Sequence, residues 1–86
     1  MASRDLIQVN MYAAARAAAG VSSVEVPPGT LADVLVAAIA GTRPELADVI
    51  ERCSFLIDGL AAHDAPSTID LTGGQQVDVL PPFAGG

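Results

Sequence analysis

An α+β fold, with a mixed sheet packed on one main helix, is what this 86-residue sequence predicts. Three observations carry the prediction. Segments near both ends alternate apolar and polar residues with the period of a strand. One central segment carries an apolar stripe at helical spacing. Val and Ile together outnumber Leu, fourteen to eight, and these residues must build the core because sixteen further apolar residues are only Ala. A chain of this length makes one domain that buries about 60–65% of its unfolded surface.

The elements follow in order. Asp5 to Tyr12 reads as a strand, with Ile7, Val9 and Met11 on one face. Ala13 to Ala19 is Ala-rich around Arg16, which predicts one or two helical turns stopped by Gly20. Ser22 to Val26 is a second strand, closed by Pro27-Pro28-Gly29, and the spacing suggests the start of a meander with a long connector. Thr30 is placed as a helix N-cap, with Asp33 three residues on in the position of a capping box. Leu31, Val34, Leu35, Ala38 and Ile39 then form one stripe of a helix over 30–40 that Gly41 ends. Arg43-Pro44 opens a shorter helix with Leu46, Val49 and Ile50 facing inward. Phe55 to Ile57 is a strand, turned at Asp58-Gly59, with a short return through Leu60 to His63. Residues 64–74 read as loop, with Ile69 and Leu71 tucked in as plugs. Gln75 to Leu80 is the last strand. The first and last strands are apolar enough to be central and parallel, so the helix must cover one face of a roll of the β-grasp kind.

Composition excludes several classes of function. The net charge is −6, with four Arg and no Lys, so clustered cations for nucleic-acid phosphates are missing. An acidic chain is suited instead to a basic patch on a protein partner. The longest strongly apolar run, Val34 to Ala40, falls far short of the ~20 residues that span a bilayer, and no membrane role is expected. The first residues lack the pattern of a signal peptide, and one cysteine fits a reducing compartment, so the expected location is cytoplasmic. Catalytic residues of its own are not expected. Cys53 and His63 are the sole Cys and His, with no third member for a triad, and read as a small residue before a strand and a solvated loop residue. Too few soft or imidazole ligands exist for a metal site, and without Lys there is no phosphate-binding loop of the GxxxxGK type. No bound cofactor is expected.

What remains is the end of the chain. Pro81-Pro82 offers no N–H to a ladder, so it should end the last strand and lead the chain off the sheet. The expected organisation is a folded domain over 1–80 and an extended tail over 81–86 that reaches about 20 Å, at roughly 3.3–3.6 Å per residue. Gly85-Gly86 makes its tip thin and adaptable enough for a narrow channel in a partner; the plain alternative is a frayed terminus. A terminal carboxylate, ionised at neutral pH, must be activated by a partner, most simply as an anhydride with AMP, before a nucleophile can displace it. A persulfide sulfur would then yield a thiocarboxylate, and an amine would yield a protein–protein amide.

The end Leu80-Pro81-Pro82-Phe83-Ala84-Gly85-Gly86 resembles the Pro-Pro-x-x-Gly-Gly terminus of the small, sulfur-carrier subunit of molybdopterin synthase. Tyr12-Ala13-Ala14-Ala15-Arg16-Ala17-Ala18-Ala19-Gly20 is similar to that family's aromatic-Ala-x-x-Arg-(Glu)-x-x-Gly segment, and Thr30-Leu31-x-x-Val34-Leu35 and Leu71 to Leu80 match in placement. Ala17 stands where the family has Glu, and Asp58-Gly59 replaces an Asn-Gly turn. The resemblance implies a ubiquitin-like fold and no enzyme activity outside a synthase complex. It implies that Gly86 is adenylated by a ubiquitin-activating-type adenylyltransferase using ATP, then thiocarboxylated with the help of a sulfurtransferase. Pro81, Pro82, Phe83, Ala84 and Gly85 would form the inserting tail. The partner would be the large catalytic subunit, in a heterotetramer, and the sulfur acceptor cyclic pyranopterin monophosphate, on the route to the molybdenum cofactor. Tyr12 and Arg16, four residues apart, face either a partner or each other in a cation–π contact. Phe83 is placed as an anchor for a partner groove. Rival expectations are a sulfur carrier for thiazole or cysteine synthesis, a ubiquitin-like modifier of target amines, and a plain binding module.

Overall fold

A computed structural model of the protein describes residues 5–82. The first strand, β1 (Ile7–Met11), buries Ile7, Val9 and Met11 and turns Gln8 and Asn10 outward. Helix α1 (Ala13–Ala19) buries Ala15 and Ala19, one turn apart, and Gly20 caps it in the left-handed conformation at φ 79°. A Cβ on Gly20 would lie 2.6 Å from Cζ of Arg43, whose guanidinium covers that helix end. The chain returns as β2 (Ser23–Val26), antiparallel to β1 with Ile7 opposite Val26 and Asn10 opposite Ser23. The expected meander start is thus an antiparallel pair whose connection is a helix.

The two-residue strand β3 (Gly29–Thr30) leads into α2 (Leu31–Ala40). Thr30 Oγ1 accepts the Asp33 N–H at 3.1 Å, and Asp33 Oδ2 accepts the Thr30 N–H at 3.1 Å, so the expected capping box is complete. Leu31, Val34, Leu35 and Ala38 point into the core. Gly41 closes the helix with φ −83°, in right-handed rather than left-handed geometry. There Thr42 Oγ1 donates to the Ala38 carbonyl at 2.8 Å, satisfying a helix-end acceptor by other means.

Helix α3 (Glu45–Ile50) buries Leu46 and Ile50 and packs on α1. Then β4 (Ser54–Ile57) and β5 (Leu60–Ala62) form a hairpin, with Asp58 at φ 49° and Gly59 at φ 84° as the two turn residues. Both angles are positive, as a type I′ turn requires. The segment expected to be loop holds a 3₁₀ turn (Pro66–Thr68) and the short β6 (Asp70–Leu71), which pairs with β3. Strands of two residues carry no periodicity, so only tertiary pairing defines them. Leu71 is buried and Ile69 half-buried, as plugs would be.

The last strand, β7 (Gln76–Leu80), lies in the middle of the five-stranded sheet, whose order is β2-β1-β7-β4-β5. It runs parallel to β1, with Val9 opposite Val77, and antiparallel to β4. Val77 and Val79 are fully buried with Ile7, Val9 and Met11 in a core closed by α2, Leu46 and Ile50. The architecture is the expected one: a mixed sheet with helices on one face and a parallel pair at its centre.

Candidate functional site

Because β1 and β7 are parallel, the segments after them leave the sheet at the same end. The Tyr12 N–H makes the last ladder contact there, donating to the Val79 carbonyl at 3.3 Å. β7 stops at Leu80, paired with Ser54, and the next two residues are the prolines that cannot extend the ladder. Pro81 is half-buried and Pro82 exposed. With Ala14, Val49 and Arg52 they border a shallow groove of about 200 Å³. Its walls are mostly apolar, and Arg52 is the one charged side chain among them.

Tyr12, bonded through its N–H to Val79, stands beside the end of β7, and Arg16 lies one helical turn further along α1. The Arg16 N–H donates to the Tyr12 carbonyl at 3.3 Å, so the pair occupies one turn of α1. Tyr12 is 46% exposed and Arg16 is exposed. The Tyr12 hydroxyl lies 3.5 Å from Asp78 Oδ1, at the outer limit of hydrogen-bond distance. That oxygen also accepts from Asn10 Nδ2 at 2.9 Å, and Asn10 Oδ1 in turn accepts from Gln8 Nε2 at 2.8 Å. A polar strip thus runs along the open face of β1 and β7 and ends at Tyr12. Phe83, Ala84, Gly85 and Gly86, the inserting and reacting end expected of the tail, lie outside the described residues.

Sequence reasoning missed Arg52 and the polar strip. Val49 and Arg52 are three residues apart, the spacing of one helical turn, and that was a usable signal for Arg52. The strip is also legible as Gln8/Asn10 and Gln76/Asp78, alternate polar residues of two strands expected to pair.

Cys53 and His63, ten residues apart across the β4–β5 hairpin, border one open groove of about 370 Å³ together with Asp64. Proximity does not make a nucleophile. Burial pushes the Cys53 thiol pKa up, and Sγ donates to the Val49 carbonyl at 3.1 Å, so the group is held as a neutral thiol. Among the described residues no three His, Cys, Asp or Glu side chains come together as a metal ligand set, and no helix is long and apolar enough to cross a membrane.

No family model and no curated protein matches the chain. Solved structures do. Small archaeal modifier protein 1 from Haloferax volcanii is similar with a TM-score of 0.80 and 24% identity, covering 94% of this chain and 99% of that one. In a protein–protein complex of subunits 1 and 2 of the molybdopterin-converting factor from Helicobacter pylori, one chain is similar with a TM-score of 0.69 and 15% identity, over 94% of this chain and 99% of that one. Urm1 from Trypanosoma brucei gives 0.66 and 14%, over the whole of both chains. At these identities the likeness speaks for the backbone, and with the sheet order above it gives the chain the ubiquitin-like β-grasp fold.

Proposed function

We propose that this chain is a sulfur carrier whose C-terminal glycine, Gly86, is activated and thiocarboxylated, and that it serves as the small subunit in molybdopterin synthesis. One observation supports the reading above others. A central strand with buried valines ends at Leu80, directly before Pro81-Pro82, with Tyr12 bonded to Val79 beside that end and Arg52 in the groove the prolines border. Polyproline geometry is stiff and has little entropy left to lose in a partner's channel, so two prolines are suited to aim the segment that leads to Gly85-Gly86. Every core residue among those described lies at or before Val79.

The chemistry belongs to the partners. The Gly86 carboxylate attacks the α-phosphorus of ATP, expelling pyrophosphate and leaving an acyl adenylate. A persulfide sulfur displaces AMP, and a thiol cleaves the resulting acyl disulfide to leave a thiocarboxylate. Its sulfur is then transferred to the pterin precursor in the large subunit, and water restores the carboxylate. No side chain of this chain need donate or accept a proton, in keeping with a neutral Cys53.

The test combines chemically thiocarboxylated protein with a molybdopterin synthase large subunit and cyclic pyranopterin monophosphate. Molybdopterin should form, with two carriers consumed per product. Turnover by a thiazole or cysteine synthase in its place hands the role to a different sulfur carrier. The second reading is a protein modifier, favoured by the likeness to small archaeal modifier protein 1. Covalent ladders on target proteins, seen by mass spectrometry in the native host, would establish it. Such ladders could not grow into chains of this protein through lysine, since it has none.

A further inference from the structure

The five-stranded sheet has two edges, β2 and β5, and they are not alike. β2 carries Glu25, an exposed charge of the kind that discourages pairing with another chain. β5 is Leu60-Ala61-Ala62, without a charge, and Leu60 is 74% exposed. Its hairpin has a two-residue turn, with Ile57 opposite Leu60, Leu56 opposite Ala61 and Phe55 opposite Ala62. In such a hairpin the pair flanking the turn exchanges both hydrogen bonds, and the next pair exchanges none. The N–H and C=O of Ala61 therefore point away from β4, and the same parity applies to His63 just beyond the strand. Neither residue has another backbone partner among the turn, loop and cap bonds of the described residues.

Two open grooves border this edge and share the wall Ala61 to Asp64. One, of about 500 Å³, reaches towards the turn and is lined further by Ile57, Leu60 and Ile69 with Asp58 and Gln75. The other, of about 370 Å³, reaches towards Phe55, Leu56 and Pro66. Both offer apolar floors with carboxylates at the rim, Asp58 and Asp64 in the first and Asp64 in the second, and no arginine lines either.

We propose that the outer edge of β5 is a second docking surface, separate from the tail root, which takes an extended, basic segment of a partner protein as an added strand. Ala61 and His63 supply up to four main-chain hydrogen bonds. Small side chains at Ala61 and Ala62 leave room for the partner's apolar residues, and its lysines or arginines face Asp58 and Asp64. The occupant's charge follows from the rims and from the net charge of −6. This surface does not depend on what Gly86 carries.

The experiment titrates the isotope-labelled full chain with an end-blocked eight-residue peptide of alternating valine and lysine, and reads amide shifts and hydrogen exchange. Exchange at Ala61 and His63 should slow at least tenfold on saturation, with shifts centred on residues 60–64. A peptide with glutamate for lysine should not bind. Asp64→Asn should weaken binding several-fold without altering the fold, since Asp64 is exposed. Ala61→Pro removes an outward N–H and no bond to β4, so it should abolish binding while the rest of the spectrum is retained. Equal binding of both peptides, no protection at Ala61 and His63 at millimolar peptide, or concentration-dependent protection with no peptide present would each overturn the proposal, the last by making a second copy the occupant.

Discussion

Gly86 carries the whole chemical burden of the proposed function and none of the described core. Deleting it is expected to leave the melting temperature within about 2 °C of the parent, because the buried residues among those described end at Val79. ATP–pyrophosphate exchange with the activating enzyme should fall to background, since the acyl group would sit one residue short of the adenylating centre. Normal exchange by the deletion variant would sink the tail reading. Cys53 makes the opposite case, a reactive residue type kept unreactive. Burial raises its pKa, so the folded chain holds that proton in a range where the unfolded chain, near the ordinary 9.0, releases it. The stability it contributes is present below the unfolded value and is lost as pH rises through the folded one. Alkylation by iodoacetamide should reach half its limiting rate above pH 9.0 in the native chain and near it in urea; a native midpoint below that would show an activated thiolate. The spacing of Cys53 and His63 left them as isolated residues. Their shared groove comes from the β4–β5 hairpin, whose Asp58-Gly59 turn was a local signal that brings residues near Cys53 opposite His63, and from the return past Pro66.

Among the elements, α2 was the most legible, and it is the one on which the core depends. Its stripe and capping box are local signals, since both need only residues within one or two turns of each other. Leu35→Ala is expected to cost about 2–5 kcal/mol in urea denaturation, as Leu35 is only 7% exposed. Thr30→Ala should cost about 1 kcal/mol through loss of the cap. Equal, small losses in both variants would mean that the stripe does not bear on the core. Helix α1 shows what a local reading leaves out. Its seven residues are too few to hold alone, and its first residue, Ala13, takes φ 49°, a left-handed value unfavourable for a residue with a Cβ. Packing against α3 and β1 sustains it. Ala13→Gly is therefore expected to be neutral or stabilising by up to about 1 kcal/mol, against the usual loss when glycine enters a helix.

At the scale of the whole molecule, the parallel pairing of β1 and β7 joins the two ends of the described chain through its centre. Local fraying cannot open those strands without exposing Ile7, Val9, Val77 and Val79 together. The hydrogen-bonded amides of β1 and β7 should therefore exchange most slowly and report the global stability, while β5 at the edge exchanges faster. Exchange of β5 amides as slow as those of β7 would contradict this hierarchy. The same pairing sets the site: it brings Tyr12, at the end of the first strand, beside Pro81, at the end of the last.

Fold class, the period of each long element and the end of the last strand before Pro81-Pro82 were legible in the residues, because each depends on side-chain period or on backbone permission a few residues wide. The β3–β6 pair, the groove of Ala14, Val49 and Arg52 beside Pro81-Pro82, and the joining of Ile69 and Gln75 to the walls around Ala61 to Asp64 came only with the packed molecule. Those features join residues far apart in the chain, and what holds them is the burial of one continuous core, which rewards contacts that no single segment can make.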